Sequence, residues 1–127
     1  MNHDVLSDAL SAIKNAEKKG EKKCTSKYSN LTYGVLNIMK KKGYLKSVKR
    51  MDDKFGTILI ELNGMINECN SIRPRFSVQV DEIPKFIKRF LPGAGMGILI
   101  ISTSRGLMTH EDAIKNGIGG RLVAYVY

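Results

Sequence analysis

Hydrophobic positions recur along this chain first with a helical period, then with a strand period, and finally in a continuous apolar run. Val5, Leu6, Ala9, Leu10, Ala12, Ile13 and Ala16 fall on one stripe. They predict a helix over residues 4–19, with Asp4 as its N-cap and Gly20 as its stop. The polar residues 21–27 predict a short strand. Leu31, Val35, Leu36, Ile38 and Met39 mark a second helix, capped near Ser29 or Asn30 and ended by Gly43. From Tyr44 the period changes to that of strands. Residues 45–51 and 57–62 flank a hairpin loop, Asp52-Asp53-Lys54-Phe55-Gly56. Asn63-Gly64 is a further turn, and residues 72–80 alternate as one more strand, broken by Pro74.

Residues 82–91 carry Ile83, Phe86, Ile87 and Phe90 on a short amphipathic segment that Pro92 ends. The loop Pro92-Gly93-Ala94-Gly95-Met96-Gly97 then marks a boundary between halves. An apolar β-rich run follows and ends in Ser102-Thr103-Ser104-Arg105-Gly106, with a helix start expected at once. That helix spans about residues 109–116. Thr109 and Asp112 approximate a capping box, and Asn116-Gly117 ends it. A second β-rich run closes the chain. The expected fold is a mixed α+β one: an N-terminal α-β-α-β-β module over residues 1–80, a connecting segment over 81–97, and a C-terminal β-rich domain over 98–127 with strands and one helix.

Charge narrows the function. With 21 Lys and Arg against 12 Asp and Glu, the chain carries +9, and its hydrophobic content of 43% suffices for a core. Such an excess on a small domain points to a polyanionic partner, nucleic acid before an acidic membrane surface. No run approaches the ~20 apolar residues a spanning helix needs, and no secretory leader pattern is visible, so a cytoplasmic protein is expected. Cys24 and Cys69 lack CxxC spacing and read as free thiols.

Catalytic and metal motifs fail on inspection. Gly93-x-Gly95 precedes a strand and lacks a third glycine, since position 98 is Ile. His110-Glu111 begins like HExxH, but position 114 is Ile, so a zinc site lacks its second histidine. His110 is expected on the surface, in the first turn of its helix. A serine nucleophile needs a positioned base, and neither His3 nor His110 is placed to serve Ser102 or Ser104. No enzyme activity, cofactor, metal or small-molecule substrate is expected.

The 102–106 segment has two readings. Its hydroxyls, backbone amides and Arg105 suit a shaped RNA surface of 2′-hydroxyls, phosphates and splayed bases. They equally suit a Ser/Thr turn that satisfies itself. Glu111 and Asp112 would repel an anion from the helix start itself. Gly117, Gly119 and Gly120 permit a close backbone approach at the start of the last strand, or simply a tight turn. Arg73-Pro74-Arg75 puts two cations on a stiff extended segment, to grip phosphates or to protect an edge. Lys40-Lys41-Lys42 at a helix end is the least specific charge cluster.

The run Ser-Thr-Ser-Arg-Gly-Leu-Met-Thr-His-Glu-Asp-Ala, followed by Gly-Ile-Gly-Gly-Arg-Leu-Val-Ala-Tyr-Val, resembles the family of the eighth protein of the small ribosomal subunit in its archaeal form. The opening Asp-Val-Leu-Ser-Asp-Ala-Leu, Lys42-Gly-Tyr-Leu and the stretch from Asn67 to Phe76 extend the likeness to nearly the whole chain. The resemblance implies a structural protein that binds an irregular helix in the central domain of small-subunit ribosomal RNA and neighbours other ribosomal proteins. It favours RNA contact for the hydroxyl segment. The contacts it implies are Lys14, Asn15 and the Ser29 region, then Ser102, Thr103, Ser104, Arg105, Gly106, Met108, Gly119 and Gly120. Arg73, Arg75 and Arg121 join them as nearby cations. Lys27-Tyr28-Ser29-Asn30 stands where the family usually carries Pro-Ala-Ser-Lys, so Asn30 replaces a lysine and Lys27 is the substitute cation. The rival reading is a small basic protein-interaction adaptor with only non-specific RNA affinity.

Overall fold

The computed structural model describes residues 4–51, 56–93 and 95–127. Among them are four α-helices and two antiparallel sheets, a mixed α+β architecture. The chain folds as two compact units, one ending at Cys69 and the other running from Asn70 to Tyr127.

The first unit opens with α1 (Val5–Lys19). The Asp4 carboxylate accepts from Leu6 N at 3.0 Å, and Gly20 closes the helix at φ 73°. Its apolar stripe buries Leu6, Ala9, Leu10, Ile13 and Ala16. After β1 (Lys23–Lys27), Ser29 caps α2 (Asn30–Lys41), whose inner face buries Thr32, Val35, Leu36 and Met39. β2 (Leu45–Met51) and β3 (Thr57–Leu62) complete an antiparallel sheet in the order β1-β3-β2. β3 alternates strictly, so Ile58, Ile60 and Leu62 all point to the buried side. Burying each of these side chains stabilises the fold by about 1.5–3 kcal/mol, which is what fixes strand register. The expected loop residues Asp52 to Phe55 lie outside the described residues, as do His3 and Ala94.

In the second unit the sheet order is β4-β8-β6-β7, with β5 also paired to β8. The strands are β4 (Cys69–Ser71), β5 (Ser77–Val78), β6 (Ile98–Thr103), β7 (Gly106–Thr109) and β8 (Gly120–Val126). The expected strand over 72–80 is therefore corrected. Only Ser77–Val78 is strand within it, and Val80–Glu82 is a 3₁₀ turn leading into α3 (Ile83–Phe90). Pro74 offers no N–H to a ladder, so the chain leaves the sheet there. Ile72 N still donates to Val123 O (2.9 Å) and Leu122 N to Phe76 O (3.0 Å), which holds the edge of β8 across the gap. Ile72, Val78, Ile83 and Leu91 share one core with Leu99, Ile101, Ala113 and Leu122.

The last helix, α4 (His110–Asn116), is capped by Thr109 Oγ1 on Asp112 N and closed by Gly117 at φ 66°. His110 corrects its expectation: it is 8% exposed, and its Nδ1 accepts from Leu99 N at 3.1 Å. The register pairs Ile100 with Thr109, so the next pair would be Leu99 with residue 110. There the chain has already turned into α4. The imidazole takes the place of the missing strand partner, because a buried amide left unpaired is costly.

Candidate nucleic-acid interface

The hydroxyl segment is a hairpin tip, and the short strand β7 lies between it and the helix start expected at Thr109. Thr103 pairs with Gly106, Ser104 and Arg105 form the turn, and Gly106 takes φ 107°. Such a tight reversal requires positive φ, which glycine adopts without a side-chain penalty. The helix begins only four residues later, at His110.

The tip divides its hydroxyls between two jobs. Thr103 Oγ1 donates to Gly106 O at 2.8 Å and accepts from Arg105 N at 3.1 Å, so it holds the turn. The self-satisfying reading is thus correct for Thr103. Among the described residues, neither Ser102 nor Ser104 uses its side-chain hydroxyl on a protein partner. Ser104 and Arg105 are exposed and Ser102 is half-buried. A hydroxyl that caps nothing inside the protein remains a donor and acceptor for something outside it.

The start of β8 lies directly beside this tip. Ser102 is paired with Arg121 on one side and Leu107 on the other, and Arg121 with Ser77. Residues opposite one another in an antiparallel ladder share a face, so Ser77, Arg121, Ser102 and Leu107 form one row. The exposed Arg121 cation therefore stands next to the Ser102 hydroxyl. Gly119 and Gly120 make that proximity possible. A Cβ on Gly119 would meet Val78 O, and one on Gly120 would meet Ser102 O, both rigid backbone. Met108 lies on the other face, half-buried against the apolar core. Arg73 and Arg75 are exposed in the interruption between β4 and β5.

The first unit places its expected contacts less simply. Lys14 forms an ion pair with Glu68 at 2.8 Å, while Asn15 beside it is exposed. The hydrogen bond from Lys14 holds the Glu68 carboxyl below its ordinary range. Ser29 Oγ accepts from Thr32 N and donates to Thr32 Oγ1 at 2.7 Å, so it is engaged in capping. Asn30 Oδ1 accepts from Tyr28 OH at 2.9 Å, and Lys27 is exposed at the end of β1. Sequence reasoning passed over the neighbours of these residues. The Arg50 guanidinium lies 4.0 Å from the Tyr28 ring centroid, and the Tyr33 ring lies 5.5 Å away at 48°. Tyr28 adjoins the Ser29 region, but nothing local announces that Arg50 reaches it from another strand.

Cys24 and Cys69 are free thiols, and burial pushes their pKa values up to about 11 and about 12. Among the described residues no group of His, Cys, Asp and Glu could hold a metal ion. No described helix is long and apolar enough to cross a membrane.

Fold and surface together define a class: a small basic α+β protein that presents hydroxyls and cations at one end of a sheet, with its one described histidine committed to the backbone. The profile of the family described as Ribosomal protein S8 matches residues 4–127, and the chain belongs to that family. Relatives named small ribosomal subunit protein uS8 support the same assignment over essentially full length. The Archaeoglobus fulgidus protein is 49% identical with all of both chains covered. Those of Nanoarchaeum equitans and Methanosphaerula palustris are each 44% identical, covering 100% of both chains and 98% and 97% respectively. Members of the family are structural constituents of the small ribosomal subunit and not enzymes, which places the chain on the ribosome in the cytoplasm.

Proposed function

We propose that this chain binds ribosomal RNA directly and recognises an irregular helix in the central domain of the small-subunit molecule, supporting subunit assembly beside neighbouring ribosomal proteins. The observation that carries this reading is the pair of serine hydroxyls at the 102–106 hairpin, uncommitted within the described residues and flanked by Arg105 and Arg121. Lysines and arginines bring the chain to RNA by releasing counterions. If about 6–10 phosphates are engaged, affinity falls by roughly 10³–10⁵ between 50 and 200 mM salt on the duplex-DNA rule, and somewhat less for RNA. That term is blind to shape. Discrimination falls to Ser102, Ser104 and the backbone of Gly106, Gly119 and Gly120, which approach 2′-hydroxyls and base edges closely.

The roles of the remaining residues follow from their surroundings. Thr103 shapes the hairpin, and Met108 supports it from the core side. Lys27, Asn15, Asn30, Arg73 and Arg75 supply phosphate contacts. Lys14 contributes to the extent that RNA phosphate competes with Glu68. The test is binding to two RNAs of matched length at fixed salt, an irregular central-domain helix and a regular duplex. A preference of about a hundredfold for the irregular RNA supports the reading; equal binding leaves only a basic adaptor with non-specific affinity.

A further inference from the structure

The cluster around Tyr28 points to a second recognition element, which rests on the RNA-binding reading above. We propose that Arg50, held over the Tyr28 ring, is a stacking platform whose outer face receives one unpaired RNA base.

Four observations build the platform. The Arg50 guanidinium carbon is 4.0 Å from the Tyr28 centroid, which is stacking distance. Arg50 is nevertheless exposed, so the ring leaves much of its side chain open to solvent. Tyr28 itself is pinned: its backbone N donates to Gly56 O at 2.7 Å, its OH donates to Asn30 at 2.9 Å, and Tyr33 supports it at 5.5 Å. Among the described residues no carboxylate pairs with Arg50, so none of them spends its charge.

A guanidinium lying on a ring keeps its N–H groups at its rim and its second π-face open. Bases splayed from irregular RNA stack on such planes. The exposed Asn30, bonded to the Tyr28 hydroxyl, adjoins the platform and can take the neighbouring phosphate or ribose. Arg89 makes an instructive contrast. It lies 5.5 Å from Phe76 and 5.4 Å from Phe90, farther out and over two rings that themselves cover the second unit's core. That arrangement is core cover; the one at Tyr28 is a surface feature.

The experiment compares the wild-type chain with Arg50→Lys, Tyr28→Leu, Tyr28→Phe and Ser104→Ala. Each is bound to the irregular RNA and to a matched duplex, with thermal unfolding measured without RNA. Arg50→Lys keeps the charge and loses the plane. It is expected to weaken binding to the irregular RNA about tenfold and leave duplex binding and its salt slope unchanged. Tyr28→Leu should behave similarly, and Tyr28→Phe, which keeps the ring, should bind like wild type. Replacing unpaired nucleotides one at a time by abasic ones should reveal one position that costs affinity in wild type and nothing in Arg50→Lys. Unchanged affinity of Arg50→Lys, or equal loss on both RNAs, overturns the platform. So does an affinity loss with no abasic position whose cost depends on Arg50, which would make the pair a purely structural brace. If wild type itself shows no preference for the irregular RNA, the RNA reading falls as well. If Ser104→Ala loses preference while Arg50→Lys keeps it, the platform alone is wrong.

Discussion

The α-carbon of Gly120 sits so close to the carbonyl of Ser102 that no side chain fits between them. The last strand and the hydroxyl hairpin are thus held at backbone contact, with Arg121 and Ser102 side by side on one face. Recognition chemistry and strand packing therefore depend on the same few atoms.

Gly120→Ala and Gly119→Ala should each destabilise the fold by about 1–3 kcal/mol, because the obstructing atoms are backbone and cannot swing away. Gly106→Ala meets open space but must hold φ 107°, so its cost of about 1–3 kcal/mol arises from backbone conformation alone. Denaturant midpoints measure all three. Near-wild-type stability of Gly120→Ala would contradict the close approach.

Thr103→Val and Ser104→Ala should separate shape from contact. Losing the Thr103 hydroxyl removes two hydrogen bonds from the turn and should lower stability by about 1–2 kcal/mol. Ser104→Ala should leave stability within about 0.5 kcal/mol and lower the preference for irregular RNA. The paired readout is thermal unfolding and RNA competition binding.

His110→Ala leaves the buried Leu99 amide without its acceptor and should cost about 1–3 kcal/mol. Hydrogen exchange at Leu99 should accelerate in this variant more than at neighbouring strand amides. Equal protection would show that the imidazole is dispensable to the sheet.

The Lys14–Glu68 pair predicts a specific acid response. Glu68 titrates below its usual value in the folded state, so its contribution is complete above the ordinary carboxylate range, near pH 4.5, and disappears as pH falls through the lowered folded value. Glu68→Gln should therefore be less stable than wild type at pH 7 and equal to it once the carboxyl is protonated. The pair is partly exposed, so the difference at pH 7 should stay under about 1 kcal/mol. The same variant removes one negative charge and the Lys14–Glu68 charge pair, and should raise affinity for any RNA at low salt.

Native Cys24 and Cys69 should alkylate far more slowly at pH 8 than an unstructured thiol of pKa about 8.5, since both are held protonated by burial. Iodoacetamide labelling followed by mass spectrometry should give Cys24 before Cys69, and denaturant should abolish the difference. Rapid labelling of native Cys69 would refute its burial.

Sequence legibility followed the range of the interactions involved. Asp4, Ser29, Thr109, Gly20 and Gly117 act within a turn of their own position, so both ends of α1, the start of α2 and both ends of α4 could be read directly. The alternation in β3 announced its buried face for the same reason. Pro74 signalled an interruption, but not how far the strand around it would shrink, because that depended on where β8 offered partners.

The chain by itself determined the helices, the first sheet's strands, the basic character and the hydroxyl-rich segment, since periodicity, caps and composition are local properties. Only the tertiary structure decided what individual side chains do. It committed Thr103 to the turn and His110 to Leu99, tied Lys14 to Glu68, and laid Arg50 on Tyr28. The last three join residues far apart in sequence. Even at the hairpin, a hydroxyl is spent or spare according to the geometry around it, and no residue type or spacing encodes that.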